Sequence, residues 1–143
     1  MATLTYVGYQ IGTEVMQEAG QAQTDSWALI LSNTAPNVAI HTTAASATEL
    51  GTAGGYTAGG VACTVTSSAQ TAGLYKLILA APVSPTWTAS VGGFTFRYVI
   101  LYNVTRTQCM AYWDRGASVV LAAGDTYTPT LDPSAGTYTV TTP

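Results

Sequence analysis

The chain has 143 residues, enough for one domain with a core of its own, and only 8% of them are charged, against about 25% in an ordinary domain. The net charge is −3, and the four cations, Lys76, Arg97, Arg106 and Arg115, are scattered. That excludes a basic patch for nucleic acid and a polybasic run for a membrane surface. The longest apolar run, residues 75–83, is broken by Lys76 and Pro82, well short of the roughly 18 residues of a membrane-spanning helix.

Residues 1–23 read as an N-terminal arm or extension, followed by a single β domain over residues 24–143. No basic residue precedes an apolar stretch at the start, and Gly8, Gln10 and Gly12 interrupt it, so no signal peptide is expected. Tyr6, Val7, Tyr9, Ile11, Val15 and Met16 are more apolar positions than a free tail carries, and they are candidate contacts to a partner. Residues 13–20 have a cap-like threonine, an acidic first turn and a glycine stop, the pattern of a short helix.

Residues 24–32 alternate, with Trp27, Leu29 and Leu31 on one face, and residues 33–37 read as a turn. Residues 42–50 are Ala-rich and contain Ser46-x-x-Glu49, a capping-box pattern for a second short helix. Residues 51–60 form a glycine-rich loop. Strands are expected at 61–67, 74–80 and 86–90, with a turn at Val91-Gly92-Gly93. Residues 94–103 carry the strongest strand signal. Phe94, Phe96, Tyr98, Ile100 and Tyr102 line one face and Val99 and Leu101 the other, so this strand should be central and covered on both sides. Strands at 108–114, 118–122 and 126–131 follow, with turns at Arg115-Gly116 and at residues 123–125; Pro129 marks an edge. Residues 137–142 close the chain. Short strands with turns every 8–12 residues indicate an all-β fold, an antiparallel β-sandwich or flattened barrel.

The candidate chemistry is sparse. His41 is the only histidine and no nucleophile motif accompanies it, so it reads as a surface or capping residue. With Cys63 and Cys109 it lacks the paired spacing of a zinc site. Each cysteine falls in phase with apolar neighbours, Val61 and Val65 or Ala111 and Trp113, which predicts two buried, unbridged thiols. Asp25, Asp114, Asp125 and Asp132 sit at turns or strand ends, where aspartate bonds backbone. A pair of glycosidase carboxylates is the competing reading. The glycines of residues 54–60 lack the lysine of a phosphate loop and lead into a strand, so they serve positive φ or the close approach of another backbone. Trp27 and Trp113 fall in phase with core residues. Tyr56 and Trp87 are the remaining aromatic candidates for a partner or a sugar.

Five strings occur in order: G-G-Y-T-A-G-G at residues 54–60, W-T-A-S-V-G-G at 87–93, F-R-Y-V-I-L-Y at 96–102, W-D-R-G at 113–116 and V-V-L-A-A-G-D-T-Y-T at 119–128. Together they resemble small β-rich virion proteins of tailed bacteriophages, over residues 26–140. The resemblance implies a structural protein of the particle, with no active site and no cofactor, assembled into virions in the host cytoplasm. The short chain, without fibrous repeats or a coiled coil, favours a capsid decoration (cement) protein over a tail, fibre or baseplate part. Such proteins commonly sit as trimers at junctions of shell subunits. The expected partners are therefore the major capsid protein and the chain's own copies. A carbohydrate-binding module is the alternative from another class.

Overall fold

The computed structural model describes residues 6–8, 24–72, 74–79, 85–131 and 136–141. Ten strands form: β1 (Tyr6–Gly8), β2 (Trp27–Ser32), β3 (Val61–Cys63), β4 (Val65–Thr71), β5 (Leu74–Leu79), β6 (Trp87–Thr88), β7 (Phe94–Asn103), β8 (Gln108–Leu121), β9 (Thr126–Tyr127) and β10 (Tyr138–Thr141). They build a five-stranded sheet in the order β1-β8-β7-β2-β3, a three-stranded sheet β10-β5-β4 and a two-stranded ribbon β6-β9. Every pairing is antiparallel. The all-β class expected from the turn spacing is the class observed, with no helix among the described residues.

The main core lies between the large sheet, the small sheet and the ribbon. Trp27, Leu29, Leu31, Val99, Leu101 and Trp113 meet Leu77, Leu79 and Tyr138 from the small sheet and Trp87 and Tyr127 from the ribbon. The other face of the large sheet carries a second cluster, Ile30, Ile100 and Cys109, closed over by Ala47, Val38 and Ala44 from the long β2–β3 connection. β7 lies between β8 and β2 and is covered on both sides, as its double apolar pattern requires.

The single face expected for Phe94 to Tyr102 is not formed. The β7–β8 ladder slips between Phe96 and Tyr98. Phe96 therefore packs in the main core with Val99 and Leu101, whereas Ile100 lies in the second cluster. A bulge reverses the phase of everything beyond it. On β8 the same irregularity replaces the expected turn at Arg115-Gly116. Phe96 pairs with Val119 and Tyr98 with Asp114, so Arg97 alone faces residues 115–118 within one continuous strand. Gly116 takes φ 79° there, which suits the one residue type without a Cβ.

A second slip, between Leu101 and Tyr102, leaves Met110 between the pairs with Ala111 and Cys109. Cys109 thus faces the second cluster while Ala111 and Trp113 face the main core, against the shared phase expected of them. The strand expected over residues 61–67 is two strands. The chain leaves the large sheet after Cys63 and joins the small one at Val65.

Residues 42–50 make one capped turn rather than a helix. Thr43 and Ser46 each accept from the other's backbone N–H, at 3.2 Å for Thr43 Oγ1 and 2.9 Å for Ser46 Oγ. This is a capping box that begins at Thr43, three residues before the expected one. The bonds Thr48 N to Ala45 O and Glu49 N to Ala44 O, with Thr48 at φ 54°, then end the turn as a Schellman motif. Both caps close on a single turn, so no helix can extend. The helix expected over residues 13–20 lies outside the described residues.

Candidate functional site

Three of the five strings, residues 54–60, 87–93 and 119–128, interlock through backbone. Ser90 N donates to Gly54 O, Ala89 N to Asp125 O and Gly124 N to Ala89 O, all at 2.8 Å. A Cβ on Gly54 would overlap the carbonyl oxygen of Gly93, and a Cβ on Gly93 would overlap that of Leu121. The glycine runs thus permit three chain segments to touch, the close-approach role expected for residues 54–60. Trp87 pairs with Tyr127 across the ribbon, and Phe96 of β7 stands 4.7 Å from the Tyr127 ring.

Two polar locks hold the flanking loops. Glu49 Oε1 accepts from Tyr56 Oη and from Gly59 N, both at 2.6 Å, while Leu31 N donates to Tyr56 Oη at 3.1 Å. The hydroxyl ties the glycine-rich loop to β2. Burial and the Glu49 contact push the Tyr56 phenol well above its ordinary pKa, so it stays protonated and donating. At the opposite end of β7, buried Asp25 accepts from Asn103 Nδ2 at 2.9 Å and Arg106 Nε at 3.2 Å, which fixes the β7–β8 turn. Sequence reasoning placed Glu49 in a local cap. Its real partners lie 7 and 10 residues on, and only the folded loop brings them together.

Several other ionisable groups have structural partners. Arg97 makes two bonds to Asp114, at 2.8 and 2.9 Å. That contact holds the Asp114 carboxyl below its usual range against a smaller opposing desolvation, and the Gly116 N–H adds a lesser pull in the same direction as Arg97. Asp125 accepts from Ala122 N at 2.9 Å. His41 Nδ1 accepts from Asn37 N at 3.1 Å inside its own turn. Burial pushes both thiols up to about 12, and both are free. Cys63 lies in the main core and Cys109 in the second cluster, on opposite faces of the large sheet. Among the described residues no group of three or more His, Cys, Asp or Glu could hold a metal ion. No helix there is long and apolar enough to cross a membrane.

The candidate contact residues are dispersed. Tyr56 and Trp87 are 1% and 3% exposed, so both belong to the core and neither presents a face to a partner. Tyr56 is drawn in by its bonds to Glu49 and Leu31, and Trp87 by stacking on Tyr127 at 5.9 Å. Trp27 and Trp113, at 1% and 4%, are buried as expected, which leaves no tryptophan platform for a sugar. Tyr6 and Val7 lie on β1, which pairs with Ala111 to Trp113 of β8. Tyr9, Ile11, Val15 and Met16 lie outside the described residues, as does Asp132. Sequence reasoning passed over Arg115 as a turn residue. Its guanidinium carbon lies 5.5 Å from the centre of the Tyr127 ring.

Comparison with family models, with curated proteins and with solved structures found no match.

Proposed function

We propose that this chain is a structural protein of a tailed-phage particle, a capsid decoration protein that binds the assembled shell and its own copies. The observation that carries the reading is the backbone interlock of three of the five virion-like strings, residues 54–60, 87–93 and 119–128. Gly54, Gly55, Gly60 and Gly93 serve backbone contact, and Asp114 and Asp125 serve local hydrogen bonds. They make a rigid scaffold without a group of reactive side chains among the described residues.

Surface character supports the same reading. Few charges leave an exterior of Thr, Ser, Gly and Ala, and Ile40, Val91, Val104 and Val120 project into solvent. Interface centres are depleted in Lys, Glu and Asp, so a chain covered by neighbours on several sides needs few of them. A protein that binds only the assembled lattice stabilises it by mass action. Purified particles of the encoding phage should contain the chain in fixed ratio to the shell protein, and imaging should place it on the head. Its absence from particles, or its presence on tails alone, would overturn the reading.

A further inference from the structure

Three enclosed side-chain donors belong to residues packed about the Tyr127 ring, and none has a hydrogen-bond partner. They are Trp87 Nε1, Tyr127 Oη and Arg115 Nε. Trp87 and Tyr127 are cross-strand neighbours with stacked rings, and Arg115 lies over the Tyr127 ring. Indole and guanidinium N–H groups can only donate, and a phenol can donate as well as accept. The corner therefore holds more donors than acceptors.

Charge points the same way. Arg97 and Arg106 each form an ion pair with an aspartate, and among the described residues Arg115 forms none. Its guanidinium is nonetheless held in place by the aromatic ring, which pre-organises the planar fork that matches a carboxylate. Arg115 is half-buried and keeps contact with solvent, beside the exposed Gly116, Ala117 and Ser118 of the wide β8 bulge. The approach is open on that side. Arginine, tyrosine and tryptophan are also the residue types that dominate binding energy at protein interfaces.

We propose that Arg115, with Tyr127 and Trp87 beneath it, is a docking point for a carboxylate carried by a partner protein. The carboxylate engages the guanidinium from the solvent side. Trp87, stacked on Tyr127, senses that engagement through the shared ring. The site does not depend on the virion reading, and its test needs no particle.

The test follows the tryptophan indole N–H resonances of the full 15N-labelled chain as acetate replaces chloride at constant ionic strength. The Trp87 resonance should move saturably, with Trp27 and Trp113 as unmoved references. Neutral acetamide should leave it in place. Arg115→Gln should weaken the acetate response about fivefold, the scale of one partly exposed ion pair. A Trp87 resonance that ignores acetate, responds equally to acetamide, or responds as before in Arg115→Gln would overturn the proposal.

Discussion

Trp113 and Tyr127 are both buried aromatics, yet trimming them should have opposite effects. Trp113 fills the inner face of the large sheet, and Trp113→Ala should cost about 3–5 kcal/mol, lowering the melting temperature by roughly 10 °C or more. Tyr127→Phe keeps the ring and removes a hydroxyl that has no partner. Relief of that buried group is worth up to about 1 kcal/mol, so the melting temperature should hold or rise. Thermal melts of both variants check this, and a clear fall for Tyr127→Phe would mean the hydroxyl is bonded. The thiols give a second expectation. With both pKa values near 12, native protein at pH 8 should not react with a thiol reagent, and denaturant should release two thiols per chain. The sign for stability follows. The unfolded thiols ionise near their ordinary value of 9.0 while the folded ones keep their protons. Their contribution is complete below that pH and is lost as pH climbs toward 12, which alkaline melts would detect.

At the scale of elements, the glycines of the 88–93 turn separate local strain from collision. Gly92 has φ 95° and open space around its Cβ position, so Gly92→Ala should cost only about 1 kcal/mol. Gly93, at φ 61°, lies against the Leu121 carbonyl, so Gly93→Ala must push β8 away and should unfold the interlock. Denaturant melts should show a small shift for the first and a collapse for the second, and equal shifts would contradict the backbone contact. The limits of β7 were legible because ten residues rich in aromatic and aliphatic side chains run without a breaker. Its faces were not, because the slip after Phe96 depends on the extra residues that β8 places opposite Arg97. The division of residues 61–67 between two sheets was equally hidden, since Thr64 carries no local signal for it. In the candidate site, the glycine roles were legible from the absence of a phosphate-loop lysine. The burial of Tyr56 and the stacking of Arg115 were not, because both depend on partners distant in sequence.

For the whole molecule, the question is how much surface neighbours cover. The chain exposes 7005 Å², and a standard interface takes about 800 Å² from each partner. Two sister copies and a shell would together cover about a third. The low charge was legible from composition alone, whereas the exposure of Val91, Val104 and Val120 was not. Such contacts should depend weakly on salt, with Arg115 supplying at most one ion pair to the interface. The most direct measurement is co-sedimentation of the full chain with the shell protein of the same genome, both as assembled shells and as free subunits, across rising ionic strength. The chain should travel with assembled shells, ignore free subunits and stay bound as salt rises. Equal binding to free subunits, no binding to shells, or full release at modest salt would contradict the proposed function.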